Sequence, residues 1–172
     1  MGTLSEELVD AAHRGDLDLI AELSVCGHDL QGECKEGSDL LYHFVWQNCD
    51  ARGLQRLISL GCIPQNKDTA GGTPLTAAVW CKSPEMVEML LSAGANPNTI
   101  AFLGDDEFSA LDSVIDDYCD CVTKEEVERM MHIEILVRKA GGKMRSLHPN
   151  SGRFTNLTCD GRAHPGDKSS LL

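Results

Sequence analysis

The chain has 172 residues, 42% of them hydrophobic, and sets 15 Lys and Arg against 27 Asp and Glu for a net charge of −12. That length accommodates one modest domain with a real core and excludes a large multidomain enzyme. The acidic balance disfavours nucleic acid and anionic membrane surfaces, which recruit cationic side chains to displace counterions, and makes a basic protein the natural partner.

The first twenty residues already carry acids and a helical pattern, and no run of 18 apolar residues occurs. Neither a secretory leader nor a membrane span is expected, and the chain is placed in the cytoplasm. The eight cysteines (26, 34, 49, 62, 81, 119, 121 and 159) are irregularly spaced, without a Cys-x-x-Cys pair. In that compartment they are expected to stay reduced as thiols, several acting as small core hydrophobes.

Taken in chain order, the apolar pattern repeats. Leu8, Leu41, Leu75 and Leu111 are separated by 33, 34 and 36 residues, and Gly27, Gly61, Gly94 and Gly141 by 34, 33 and 47. After each leucine, apolar or small residues stand three and four places on: Ala11 and Ala12, Phe44 and Val45, Ala78 and Val79, Val114 and Ile115. That spacing predicts one face of a short helix. A second apolar-periodic stretch follows in each unit, built on Leu19, Ile20 and Leu23, then Leu54, Leu57 and Ile58, then Met86, Val87, Leu90 and Leu91, and last Met130, Met131, Ile133, Leu136 and Val137. It runs to the glycine, which can take the left-handed conformation that stops a helix. In the fourth unit the second helix begins at Thr123, with Glu126 placed for a capping box. Each unit is two antiparallel helices and a turn, too small to bury its own apolar side, so the units must stack.

The third unit carries a distinctive motif, Asp68-Thr-Ala-Gly-Gly-Thr-Pro-Leu-Thr-Ala-Ala, followed by Glu85-Met-Val-Glu-Met-Leu-Leu-Ser-Ala-Gly-Ala-Asn-Pro-Asn. It resembles the ankyrin-repeat family's D-x-x-G-x-T-P-L-H-x-A-A. Thr73 can cap the helix, Pro74 suits its first turn, and Ala77 with Ala78 permits close packing. The expected fold is an all-α ankyrin solenoid over residues 4–143, with repeats at about 4–33, 34–67, 68–100 and 101–143, and a flexible tail over 144–172. The first repeat departs from the motif with Glu6 and Glu7 in place of Thr-Pro, and the second has Ser38-Asp39-Leu40-Leu41 at that place.

The resemblance implies a binding module that uses its turn tips and the outer side of each first helix. Five and six residues after each anchor leucine, the helix has turned away from its packed face. Those slots hold His13 and Arg14, Trp46 and Gln47, Trp80 and Cys81, and Asp116 and Asp117. Both tryptophans of the chain thus share one slot on adjacent repeats. Two environments suit them: a partner contact, where aromatics concentrate binding energy, or packing over the neighbouring repeat. Asp105, Asp106, Glu107, Asp112, Asp116, Asp117 and Asp120 form an acid cluster without a base. It reads as a steering flank for a cationic partner or as a solvated face that keeps the protein soluble.

No catalytic constellation, calcium loop, phosphate-cradling loop or metal-ligand spacing is found, so no cofactor or metal is expected. The reading is a non-enzymatic protein-interaction module, a monomer when free. It would bind a basic protein through His13, Arg14, Trp46, Gln47, Trp80, Cys81 and the turn tip at Thr69 and Ala70, with Asp105, Asp106, Asp116 and Asp117 steering. A stoichiometric inhibitor, of the toxin-immunity or kinase-inhibitor type, is the more specific alternative. An unrecognised hydrolase or metal enzyme is the third.

Overall fold

The computed structural model describes residues 3–34, 37–65, 69–70, 72–103, 106–118 and 121–144. Of the tail assigned from sequence only Met144 falls among them, and Asp68 and Gly71 of the motif lie outside. The described residues form eight helices in four pairs: α1 (Glu6–Arg14) with α2 (Leu17–Val25), α3 (Leu40–Asn48) with α4 (Ala51–Ser59), α5 (Pro74–Trp80) with α6 (Pro84–Ser92), and α7 (Ala110–Tyr118) with α8 (Lys124–Lys139). No helix among these residues is long and apolar enough to cross a membrane.

Local chemistry sets the helix ends. A side-chain oxygen accepts one of the backbone N–H groups left without a helical partner at the start of each first helix of the first three pairs: Ser5 from Leu8, Asp39 from Tyr42, and Thr73 from Thr76. Thr123 does the same for α8, with Glu126 completing the expected capping box. The second helices all stop in one way. Gly27, Gly61, Gly94 and Gly141 have φ between 87° and 95°. The next residue's N–H then donates to a carbonyl five residues back: His28 to Leu23, Cys62 to Leu57, Ala95 to Leu90 and Gly142 to Val137. A Cβ disfavours that left-handed corner, which is why glycine stands at each.

Stacking does the rest. Helices α1, α3, α5 and α7 lie side by side in that order, and α2, α4, α6 and α8 form a second row. The anchor leucines 8, 41, 75 and 111 are buried, as are Ala11, Ala12, Ala77 and Ala78, whose short side chains let neighbouring helices approach. Polar ties fix the register. The Gln31 side chain donates to the Gly61 carbonyl and accepts from the Ile63 N–H. Asn98 repeats this toward the Gly141 carbonyl and the Lys143 N–H.

Two features depart from the sequence reading. The turns between pairs are partly extended: β1 (Thr69–Ala70) runs parallel to β2 (Ala101–Leu103), which pairs antiparallel with β3 (Asp106–Phe108). Strands this short carry no legible period. The expectation that every cysteine stays a thiol is corrected as well, because Cys49 and Cys81 form a disulfide with Cα atoms 5.7 Å apart. They lie 32 residues apart, about one repeat, each directly after the first helix of its pair, so stacking brings them together. Cys26, Cys34, Cys62 and Cys121 remain thiols. Among the described cysteines Cys62 is the one buried in the hydrophobic core, its thiol pushed up to about 12 by burial. Cys119 and Cys159 lie outside the described residues.

Replacing a helical glycine by alanine ordinarily gains about 0.5–1 kcal/mol. At Gly53, in α4, the sign should reverse. The new Cβ would collide with Phe44 Cζ and stand 2.7 Å from Asp50 Oδ2, and Phe44 is fully buried. Gly53→Ala is expected to lose about 1–3 kcal/mol in urea denaturation, as overpacking does; a variant at least as stable as the parent would contradict this packing.

A second prediction concerns Asp39, which is buried and accepts from the N–H groups of Tyr42 (2.8 Å) and Gln65 (2.9 Å). Burial raises its carboxyl to about 6. A folded-state value above the unfolded one means that the folded protein holds the proton more tightly. The associated stability is therefore complete below about pH 4 and lost as pH rises through about 6. Relative to Asp39→Asn, the native chain should gain on the order of 2–3 kcal/mol between pH 7 and pH 4. A difference that does not vary with pH would rule this out.

Candidate functional site

Trp46 and Trp80 each stand seven residues after the side chain that caps their helix, Asp39 and Thr73. Equal helix starts on adjacent pairs place the two indoles at the same slot. The rings meet edge to face with centroids 5.0 Å apart. They are the centre of a longer chain of rings: His13 lies 5.0 Å from His43, His43 5.5 Å from Tyr42, Tyr42 6.4 Å from Trp46, and Trp80 5.7 Å from Phe108. The chain begins on α1, crosses α3 and α5, and ends on β3. The two indoles differ in burial. Trp80 is half-buried and packs against the core, whereas Trp46 is 48% exposed.

The other candidates fall into different settings. His13 and Arg14 are exposed at the end of α1, and His13 Nε2 lies 3.0 Å from His43 Nδ1, one nitrogen donating to the other. Gln47 is exposed beside Trp46. Cys81 is half-buried and bonded to Cys49, so its sulfur belongs to a cross-repeat link. The backbones of Thr69 and Ala70 form β1, and that of Asp106 pairs with Leu103, while Asp105 lies outside the described residues.

The acid cluster is smaller than composition suggests. Asp112 is buried: its Oδ2 accepts from the Ser109 N–H (2.8 Å) and hydroxyl (2.7 Å), capping α7 from within. Asp117 is partly covered, and among the described members Glu107 and Asp116 are exposed.

Three ring residues escaped the sequence reading. Tyr42 precedes Trp46 by one helical turn, a spacing that could have revealed it. His43 is its neighbour, and Phe108 sits on a strand without sequence signal. Burial pushes the Tyr42 phenol above its ordinary value, against the opposing effect of the Gly72 N–H, which donates to its oxygen. That bond ties the second pair's ring to the turn entering the third. At the same end of the stack as Cys81, Glu126 accepts from the N–H groups of Val122 (2.9 Å) and Thr123 (3.0 Å) and meets Lys82 Nζ at 3.4 Å; these contacts hold its carboxyl down at about 2. Among the described residues no group of three His, Cys, Asp or Glu is placed to hold a metal ion.

Gly72 gives a direct test of the ring chain. A Cβ there would collide with Tyr42 Cε2 and stand 2.9 Å from Trp80 Cζ3. Gly72→Ala is expected to reduce the near-ultraviolet circular dichroism of the paired indoles and to lower the melting temperature, with the far-ultraviolet helical signal retained. An unchanged near-ultraviolet spectrum would show that these rings do not crowd the turn.

Among curated proteins no relative matches the chain. The family model for ankyrin repeats, in three copies, matches residues 8–101. The matched span begins within α1, runs through the first three helical pairs and reaches β2, and the fourth pair continues the same two rows beyond it. With more than half of its length matched, its helices paired and stacked, and each second helix closed by a left-handed glycine, the chain belongs to the ankyrin-repeat family and is a protein–protein interaction module.

Proposed function

We propose that the chain is a non-enzymatic module that captures a basic protein segment on the row of rings centred on Trp46. The observation that carries this reading is the half-exposed indole of Trp46, held between Tyr42 and the partly buried Trp80. An aromatic in that position offers a large contact area with few rotatable bonds, the kind of residue that dominates binding energy at interfaces. It also presents a π face to an arginine or lysine. His13, Arg14, Gln47 and the turn at Thr69 and Ala70 flank the row in this reading. Asp105, Asp106, Asp116 and Asp117, within a chain of net charge −12, steer the cation inward and speed association more than they tighten it.

The test is affinity capture from native lysate at low and high salt, with the wild-type chain and Trp46→Ala. Trp46 is the cleaner target because Trp80 packs on the core. Truncation of Trp46 should weaken capture by about 2 kcal/mol or more, roughly thirtyfold in Kd, with the far-ultraviolet helical signal unchanged. Capture should also weaken as salt shortens the screening length. Equal capture by both chains would remove this surface from consideration.

A further inference from the structure

We propose that Cys49 and Cys81 are a reversible thiol–disulfide pair, a redox site that clamps the second and third helical pairs at the helix ends carrying Trp46 and Trp80. The clamp is one of three ties along the C-terminal ends of the first helices. Between the first and second pairs, Asn48 Nδ2 donates to the Ala12 carbonyl at 2.8 Å. Between the second and third stands the Cys49–Cys81 bond. Between the third and fourth, Lys82 Nζ meets Glu126 Oε1 at 3.4 Å. The outer ties are a hydrogen bond and an ion pair, indifferent to redox potential. The middle one is made or broken by electron exchange.

Three observations make the pair suited to cycling. Cys49 is an exposed residue, so the bond starts at the surface of the stack, while Cys81 is half-buried and packed on the core. In the reduced state Cys81 has a place for its proton, because its Sγ lies 3.5 Å from the Val45 carbonyl oxygen. Both corners are also held in the left-handed region without glycine, at Cys49 (φ 45°) and at Lys82 (φ 49°), next to Cys81. A Cβ disfavours that conformation, so the corners gain from a covalent tie and can relax when it opens. Cys62 serves as the contrast: it is buried and its thiol is pushed up to about 12, an environment that disfavours the reactive thiolate.

The chemistry balances with a low-molecular-weight disulfide such as oxidised glutathione as the oxidant. The Cys49 thiolate attacks one glutathione sulfur and releases the first glutathione thiolate. The Cys81 thiolate then attacks Cys49 Sγ and releases the second. The two cysteines lose two electrons and two protons, and two molecules of reduced glutathione carry both away. Reduction by a thiol runs through the same mixed disulfide in reverse.

The experiment equilibrates the full chain in glutathione buffers of increasing oxidation, quenches with N-ethylmaleimide and maps the peptides, with the melting temperature read in parallel. Oxidising buffer should yield a peptide pair linked through Cys49 and Cys81, and reducing buffer should leave both alkylated. Closing a loop of this size should separate the two forms by on the order of 5–10 °C in melting temperature. The Cys49→Ser/Cys81→Ser double variant should melt like the reduced chain in both buffers. Alkylation of both cysteines in oxidising buffer would overturn the proposal, as would a bridge from either one to another cysteine, or an equal shift in the double variant. The readouts are the bond and the melting temperature, so this proposal stands or falls apart from partner capture.

Discussion

A helical hairpin of about 33 residues cannot cover its own apolar side, and that lateral demand organises the whole molecule. Each pair gains its core from its neighbours, so what matters at every junction is closeness and register. Closeness comes from small side chains: Ala11 and Ala12 on α1, Ala77 and Ala78 on α5, all fully buried. Register comes from polar groups that reach one repeat along. Gln31 and Asn98 do this where the second helices end, and Asn48 where the first helices end. Apolar burial is non-directional and would tolerate sliding. Hydrogen bonds at both ends of the hairpins do not.

What could be read from sequence follows from this division. Features whose cause is local were legible: the anchor leucines, the Thr73 and Thr123 caps, the four terminating glycines. Features whose cause is the neighbouring repeat were not. Strands β1 to β3 exist because one turn lies beside the next, and two or three residues display no alternation. For the cysteines a compartment argument says nothing of pairing; what decides it is that Cys49 and Cys81 stand about one repeat apart at equivalent helix ends. Asp112 belongs by composition to the acid cluster, yet its position three residues after Ser109 makes it a capping partner drawn into the core. In the candidate site, the tryptophan slot was legible from periodicity, and the rings on either side were not, since Phe108 enters from a strand.

The ring chain also shows how a stack of helices supports an exposed aromatic. Trp46 is not itself seated on the core; the residues it touches are. Tyr42 is packed against the core and bonded to the Gly72 N–H, and Trp80 is half-buried on the third pair. An indole braced in this way has little rotamer freedom left to lose, and lost rotamer freedom is a main entropic cost of the kind of contact proposed for it. Its placement is correspondingly only as firm as the junction between the second and third pairs.

Helix α3 is where these demands converge. It carries Tyr42, His43 and Trp46, and it ends on Asn48 and Cys49, which tie it to the pairs on either side. Its start is fixed by Asp39, a carboxylate buried at a free-energy cost that its raised pKa records. An alcohol could cap α3 without that cost, as Thr73 caps α5. What a carboxylate adds is a second acceptor oxygen: Oδ1 takes the Tyr42 N–H while Oδ2 takes the N–H of Gln65, whose side chain reaches back to the Gln31 carbonyl. One buried charge thereby fixes the start of the ring-bearing helix and the exit of the same repeat, and sets both against the repeat before. The stability given up at Asp39 is the cost of positional order in the helix on which the exposed indole depends.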